Sequence, residues 1–234
     1  MRTRFLLLLL LSIPLAAADD PLEKGRALYD AAREAAGGGK ALRDISFERV
    51  TELQQQDRTI QIHSSVKIVL PDASRTEIET PGGRTVLVYS GGKVRNLTNG
   101  QALPQAAADL QRRELARTFA LFGPEPAQGT VRYRGEEQVD GRPTQVIELF
   151  DIGDTPLRLF LDAETHDVLK RMYVGDAPDG TMAQVEEYLS DYRAVDGFRW
   201  AQHTRTVRNG NAGPTSSLGA IVVNQGLTYA DLEK

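Results

Sequence analysis

The sequence predicts a mainly β protein of the α+β class, in which a curved antiparallel sheet of about ten strands is accompanied by two main helices. Apolar and polar residues alternate along many short segments, most clearly over residues 60–70, as in a strand with one buried face. Short turns rich in Gly, Pro and Asp separate these segments. They favour antiparallel pairing, because parallel strands need long crossover connections. Only two segments have a helical composition instead.

The first residues have the organisation of a secretion signal. Two arginines precede an apolar run from Phe5 to Leu15, and the small residues 16–18 follow it. The apolar run is shorter than the roughly 20 residues that span a bilayer. We therefore expect residues 1–18 to be a signal peptide removed on export and residues 19–234 to form a single exported domain. A short buried N-terminal helix is the alternative interpretation.

Composition excludes several classes of function. The 234 residues carry a formal net charge of −4, which becomes −6 without the two arginines of the signal segment. This acidity argues against nucleic acid and against anionic membrane surfaces, since both require a basic face. The chain has no cysteine, so it can form neither a disulfide framework nor a lipidated N-terminal cysteine. No later stretch is apolar and long enough to cross a membrane.

A helix is predicted over residues 21–36, close to the start of the expected mature chain. Asp20 can cap it, Pro21 suits the first helical position, and the glycines at 37–39 end it.

The strand segments follow, and hairpin turns separate most of them. Ser90-Gly91-Gly92 gives a strong hairpin signal. A sheet of this size either curls into a barrel or splits into a sandwich. The segments are 45–54, 60–70, 75–80, 85–89, 93–97, 130–139, 144–150, 157–161, 168–174, 183–195, 198–207 and 218–223.

A second helix is predicted over residues 103–122, which are rich in Ala, Leu, Gln, Glu and Arg and stop at Gly123-Pro124. Arg112, Arg113 and Arg117 are interpreted as its solvated side rather than as a phosphate site.

No catalytic motif is present. The sequence lacks a G-x-S-x-G nucleophile, an H-E-x-x-H zinc motif, a P-loop and a dinucleotide fingerprint. His63, His166 and His203 are interpreted as ordinary surface or edge residues, and the acidic residues over 162–167 as turn formers rather than calcium ligands. We therefore predict no catalytic residue, no metal ligand and no cofactor. An exported hydrolase remains an alternative, because sequence alone does not exclude a nucleophile–base pair.

Aromatic residues concentrate near one hairpin. Trp200 lies in the sequence near Tyr188, Tyr192 and Phe198. A packed corner of the sheet is the preferred interpretation, and contact with a ligand is the alternative.

The most specific stretch covers residues 66–100. A strand ends in Pro71, Arg75 follows, Gly82-Gly83 makes a turn, and an apolar strand leads to the glycine hairpin at 91–92. This order resembles the periplasmic outer-membrane lipoprotein-sorting proteins, the LolA-like and LolB-like superfamily. The second half is also similar to that family in the stretches 139–143, 159–162 and 188–197.

The resemblance implies an unclosed antiparallel barrel whose opening is covered by helices. It also implies an apolar concave face that holds the acyl chains of a lipoprotein, and envelope proteins as donor and acceptor. The sequence departs from the family at Leu70, Val94 and Ser90, where a basic residue, a tryptophan and an aspartate are usual. Because the basic residue helps to latch the lid in the family, Leu70 puts that latch and the lipoprotein cargo in question.

We therefore predict a non-catalytic carrier for acylated lipoproteins or other hydrophobic ligands. Phe119 and Phe122 are the expected residues of the lid. An interaction module with a filled barrel is the alternative. The expected wall residues of the ligand site are Ile60, Ile62, Val66, Ile68, Val86, Val88, Leu157, Leu159 and Leu161.

Overall fold

A computed structural model describes residues 20–55, 58–80, 82–150, 152, 154–176 and 181–234. The predicted signal segment, residues 1–18, lies outside the described residues.

Within the described ranges the protein forms one antiparallel sheet of thirteen strands. The prediction of about ten strands was therefore too low. The bounds are β1 Asp44–Gln55, β2 Arg58–Val69, β3 Ala73–Thr80, β4 Gly83–Ser90, β5 Lys93–Asn96, β6 Gln101–Ala102, β7 Val131–Val139, β8 Arg142–Leu149, β9 Leu157–Asp162, β10 Val168–Asp176, β11 Met182–Val195, β12 Phe198–Arg208 and β13 Asn211–Val223.

The sheet is a meander that is joined across its middle. Its strand order is β6-β5-β4-β3-β2-β1-β13-β12-β11-β10-β9-β8-β7. The N-terminal and C-terminal halves meet where β1 pairs with β13, for example at Ile45 opposite Val223. In the part of the chain that the structure describes, β6 and β7 are the two ends of the sheet and do not pair, so the sheet is not closed into a barrel.

Two strand features escaped sequence analysis. β6 has only two residues and is too short for a periodic signal. β13 begins at Asn211, whereas the sequence predicted a start at Leu218. The segment 211–217 has the Gly, Pro and Ser of a loop, yet it pairs with β12 on one side and with β1 on the other. Two strand partners outweigh its weak intrinsic propensity.

Helix α1, Pro21–Gly37, forms as predicted. The Asp20 carboxylate accepts a hydrogen bond from the Leu22 amide at 2.9 Å, and Gly38 takes the left-handed conformation that ends the helix. Gly25 lets this helix approach β7 closely, since a Cβ there would lie 2.7 Å from the Tyr133 amide nitrogen. The Tyr29 hydroxyl donates to the Ala120 carbonyl oxygen at 2.9 Å. These contacts fix α1 to the sheet and to the segment after the second helix.

Helix α2, Gln105–Thr118, is shorter than the predicted 103–122. Phe119 caps its C-terminus, and Phe122 lies in the following turn. Ala108 and Leu115 are its buried apolar residues. A third helix, α3 Tyr229–Leu232, comes after the sheet and was not predicted.

The core has two main parts, and both lie on the face of the sheet that carries α1 and α2, which we call the inner face. One part joins α1 to β8, β9 and β10 through Tyr29, Ile147 and Leu159, among others. The other joins α2 to β1, β2, β5 and β12 through Leu115, Ile68 and Trp200, among others. No helix in the described ranges is long and apolar enough to cross a membrane.

Candidate ligand cavity

Two adjoining cavities lie between the inner face and the segment 103–122. The first, which we call the polar cavity, has a volume of about 270 Å³ and is bounded by β1, β10, β11, β12, β13 and the ends of α1 and α2. The second, the apolar cavity, has a volume of about 460 Å³ and lies between α2 and β1–β5. The two meet at five shared residues, which are Phe47, Arg49, Glu114, Thr118 and Phe119.

Apolar side chains dominate the apolar cavity. Val66 and Ile68 of β2, Leu87 and Tyr89 of β4 and Leu115 of α2 contribute to its wall. Arg49 and Glu114 are the charged residues in its described lining, and both lie where it meets the polar cavity. An alkyl chain placed here would contact mostly carbon.

The mouth of the apolar cavity is marked by two leucines on the N-terminal side of α2. Leu103 and Leu110 both line the cavity and are 37% and 40% exposed. Large apolar side chains that face both a cavity and solvent are typical of the entrance to a binding site.

An aromatic cluster closes one side of the polar cavity. The rings of Phe122 and Trp200 stack with centroids 5.0 Å apart, and Phe119 meets Trp200 edge-on at 6.3 Å. Phe198 packs against Phe122 at 6.0 Å. Trp200 and Phe198 thus form a packed corner, as predicted, and Trp200 also lines the cavity. Tyr192 lines the cavity with Trp200, whereas Tyr188 packs in a cluster with Phe160 instead.

The polar cavity contains a network of charged residues. Arg171 on β10 pairs with Glu187 on β11 at 2.8 Å, and the Tyr173 hydroxyl donates to the same carboxylate at 3.2 Å. Arg117 pairs with Glu114 one turn earlier in α2 at 3.3 Å. Arg199 pairs with Asp167 at 2.7 Å.

Sequence analysis missed this network. It interpreted the α2 arginines as a solvated side, but only 2% of the Arg117 side chain is exposed, and that interpretation is wrong for this residue. Arg113 is also largely covered, whereas Arg112 is half exposed. The helical spacing places Arg117 three residues after Glu114, but only the tertiary structure turns that pair toward the sheet.

Burial changes the titration of the network. Burial, together with the charge of Glu187, raises the pKa of Glu114, although Arg117 and Arg171 oppose the shift. Burial also raises the pKa of the Tyr192 hydroxyl and, with Glu187, that of Tyr173. Burial lowers the pKa of Arg49. The cavity therefore presents charges that solvent compensates poorly.

The structure distributes the predicted site residues among several places. Val66, Ile68 and Phe119 line the apolar cavity, and Leu159, Phe119 and Phe122 line the polar one. The remaining predicted residues do not belong to either described lining. They are Ile60, Ile62, Val86, Val88, Leu157 and Leu161.

The residues outside the cavities have identifiable positions. Leu157 and Leu161 are fully buried in the core beneath α1. Ile60 and Ile62 are half-buried near the start of β2. Val88 packs with Val69, Ala73 and Leu232, near the C-terminal helix. Leu87 and Tyr89 line the cavity in place of the valines, because neighbouring residues of a strand face opposite sides of the sheet.

The histidines and the acidic turn are not gathered into a metal site in the part of the chain that the structure describes. In the described ranges no group of His, Asp and Glu side chains is arranged to hold a metal ion. Asp162 accepts hydrogen bonds from the Glu164 and Thr165 amides at 3.1 Å and 2.8 Å, as a turn-forming residue does. His63 and His203 are exposed, and His166 lies at the rim of the polar cavity.

Comparison with known proteins bears on the fold. No family model and no curated protein matches the sequence. A solved DUF1329 family protein from Desulfovibrio piger superposes with a TM-score of 0.61 at 13% identity, over 91% of this chain and 97% of the other. A domain named as an outer membrane lipoprotein-sorting protein, from Vibrio parahaemolyticus, gives 0.59 at 13% identity over 90% and 97%. A LolA superfamily protein from Nitrosomonas europaea gives 0.58 at 11% identity over 86% and 94%.

The fold is LolA-like. The resemblance found in the sequence is thereby confirmed for the architecture: an open antiparallel sheet with α1 and α2 on one face. At 11–13% identity these structures establish the shared fold alone.

Proposed function

We propose that this protein is a non-catalytic periplasmic carrier that binds the acyl chain of a lipid or lipoprotein between its inner face and α2. The observation that carries the proposal is the pair of adjoining cavities on that face. The larger has the volume of a typical small-molecule site, about 300–1,000 Å³. Of the structurally similar proteins, one is named as a lipoprotein-sorting protein and another as a LolA superfamily protein.

The energetics suit an acyl chain. Each buried CH₂ group contributes roughly 0.8 kcal/mol, so one long chain could supply on the order of 10 kcal/mol before the costs of association. The wall that we propose is Val66, Ile68, Leu87, Tyr89 and Leu115, with Phe119 on the covering segment. From the wall predicted by sequence this keeps Val66 and Ile68 and replaces Val86 and Val88 with their neighbours. The other predicted residues are left out, namely Ile60, Ile62, Leu157, Leu159 and Leu161.

The arrangement of the two helices supports α2 as the movable cover. Helix α1 packs its backbone directly on β7 at Gly25. Helix α2 approaches β5 and reaches the rest of the sheet through side chains, such as Gln111, which donates to the Ser74 hydroxyl at 3.3 Å. Ion pairs from Arg112 and Arg113 to Asp154 hold its outer side. Displacing α2 would expose the apolar cavity without disturbing the core beneath α1.

We assign the proposed carrier to the periplasm because a signal peptide is predicted over residues 1–18, which would leave residues 19–234 as the mature domain. N-terminal sequencing of protein recovered from the periplasm would test this, and a mature N-terminus near Asp19 is expected.

Native mass spectrometry after gentle purification tests the carrier function. A lipid-sized mass bound to the folded protein is expected. A protein that carries no lipid and takes up no fluorescent hydrophobic probe would contradict the proposal and favour an interaction module with a filled interior.

A variant pair links binding to the cavity. Phe119→Asp places a charge where the two cavities meet and is expected to abolish uptake of a hydrophobic probe. Phe150→Asp makes the same change at a side chain that is exposed outside the cavities, and should leave uptake unchanged. Equal uptake by both folded variants would count against this site.

A further inference from the structure

Charges in the polar cavity do not balance within the protein. Its described lining contains four arginines and three carboxylates, with His166 at the rim. The three carboxylates of Glu114, Asp167 and Glu187 each pair with a different arginine, at 3.3 Å, 2.7 Å and 2.8 Å respectively. Arg49 is the fourth arginine and remains without a partner among the described residues.

Arg49 lies on β1 at the junction of the two cavities. Its Nε atom is buried and has no hydrogen-bond acceptor in the described part of the chain. Glu114 acts on it at longer range, but that carboxylate is already bonded to Arg117. An arginine stays protonated in proteins, so a partly buried positive charge without a close counter-charge lies here. Such a charge is unfavourable unless something supplies the opposite sign.

The residues that pair with Arg49 on the neighbouring strands carry no charge. It pairs with Ser64 on β2 and with Leu218 on β13. Thr204 and Thr206 line the same cavity, and their hydroxyls make no hydrogen bond with any described residue. The indole N–H of Trp200 is likewise buried without an acceptor. This group of donors suits a ligand that brings oxygen acceptors and negative charge.

The two cavities complement each other around Arg49. On one side lies the larger cavity, which is lined by aliphatic and aromatic residues. On the other side, among further apolar residues, lie the hydroxyl groups and the arginines, three of which are paired with carboxylates. A molecule with an apolar chain and a charged end could therefore place each part in matching surroundings, with the charged end at the junction.

We propose that the ligand is an anionic amphiphile, whose chain occupies the apolar cavity and whose carboxylate or phosphate head group pairs with Arg49. This inference rests on the proposed carrier function and narrows the class of ligand. The oxygens of the head group would accept hydrogen bonds from the guanidinium and from Thr204 and Thr206. Charge-assisted hydrogen bonds of this kind are about twice as strong as neutral ones.

Trp200 provides the readout, because it is the single tryptophan and lines the cavity. Its fluorescence can be titrated with dodecanoate, dodecyl phosphate and dodecanol, each below its micelle concentration. These probes share the chain and differ in the head group. We expect the better of the two anions to bind at least tenfold more tightly than the alcohol, which is about 1.4 kcal/mol. The anion that binds better identifies the head group.

Three variants test whether Arg49 causes the preference for anionic probes. Arg49→Met should remove the preference for the anion, because it should weaken binding of the anion at least tenfold more than binding of dodecanol. Its melting temperature should not fall, since an unpaired buried charge is replaced by an apolar side chain. Glu114→Gln removes the nearest negative charge and should strengthen binding of the anion. Arg58→Gln changes an exposed arginine on β2 and serves as the matched control.

The outcomes separate this inference from the carrier proposal. Equal binding of all three probes by the unmodified protein, or a preference that survives in Arg49→Met, would overturn the inference and leave the carrier function standing. If none of the three probes binds, both the inference and the carrier proposal are wrong. Loss of the preference in Arg49→Met but not in Arg58→Gln supports the inference.

Discussion

The guanidinium carbon of Arg117 on α2 lies 4.1 Å from the ring centroid of Tyr173 on β10. The same guanidinium donates to Glu114 at 3.3 Å and to the Val174 carbonyl oxygen at 3.3 Å. Arg117 is thus the buried attachment of the covering helix to the C-terminal half of the sheet. It combines a cation–π contact with hydrogen bonds to charged and neutral acceptors.

Arg117→Ala is expected to lower the free energy of unfolding by about 2 kcal/mol, because it removes these contacts and leaves Glu114 without its close partner. Urea unfolding followed by circular dichroism measures the change. Arg112→Ala, on the exposed side of the same helix, should change stability by less than about 0.5 kcal/mol. Equal losses in the two variants would contradict the assigned role of Arg117.

Asp154 holds the exposed side of α2 through Arg112 at 3.2 Å and Arg113 at 3.1 Å. We expect Asp154→Asn to speed release of a bound hydrophobic probe by about two- to fivefold at low salt, because the ion pairs to Arg112 and Arg113 are lost. Stopped-flow fluorescence measures release. The difference should shrink at high salt, where exposed pairs are screened.

The control for this prediction is Asp191→Asn, which removes an exposed ion pair to Arg193. It should not change the release rate. If both variants release the probe equally fast, the pairs from α2 to Asp154 do not restrain the covering helix.

Glu148 on β8 is buried between two arginines. It accepts from the Nε atoms of Arg134 and Arg158, each at 2.7 Å. Burial alone would raise the pKa of Glu148, but the hydrogen bonds from the two arginines outweigh burial and lower it. Because the folded pKa lies below the ordinary value of 4.5, the stabilisation is present above pH 4.5 and is lost as the pH falls from there through the lowered pKa.

Glu148→Gln should therefore lose about 1 kcal/mol of stability at neutral pH, a figure kept small because both arginines are partly exposed. The gap from the unmodified protein should close as the pH falls below 4.5. Urea unfolding at a series of pH values gives both quantities. A gap that widens on acidification would contradict this account.

Gly25 lies inside α1, where alanine would ordinarily be the better helix former by about 1 kcal/mol. A Cβ at this position would be 2.7 Å from the Tyr133 amide nitrogen and 2.9 Å from the Arg132 carbonyl carbon. Both are backbone atoms, so a change of side-chain rotamer cannot relieve the clash. We expect Gly25→Ala to destabilise the protein by about 1–3 kcal/mol in thermal unfolding.

Ala27→Gly, at an exposed position of the same helix, provides the comparison. It should lose no more than about 1 kcal/mol through helix propensity. If Gly25→Ala proved more stable than the unmodified protein, α1 would not pack on β7 as closely as described.

Much of the fold could be predicted because its signals are local. Alternation along β2 identified a strand with a buried face, and the glycine hairpin at 91–92 set β4 against β5. The start of β13 was missed because its Gly, Pro and Ser residues have little strand propensity. This segment forms a strand because it pairs with β1 on one side and β12 on the other. The prediction extended α2 beyond its observed C-terminus, because Phe119 and Phe122 continue the apolar pattern of the helix. In the structure these two residues lie after the helix and pack in the aromatic cluster.

The candidate site was harder to predict for a reason of geometry. Val66, Ile68, Val86 and Val88 were all predicted as wall residues because each lies in a strand of alternating apolar and polar residues. Alternation shows that a strand has two faces, but it does not show which face is the inner one. Register decides it: Val66 pairs with Thr76, and Thr76 pairs with Leu87, so Leu87 rather than Val86 shares the face of Val66.

The sequence by itself determined the mainly β class, the order of hairpins, the caps of α1 and the absence of known catalytic motifs, because each depends on residues close together in the chain. The tertiary structure alone decided that β1 joins β13, which face carries the cavities, and that Arg117 is buried while Arg49 lacks a partner among the described residues. These features depend on side chains far apart in sequence, and their energies exist only once the sheet has brought them together.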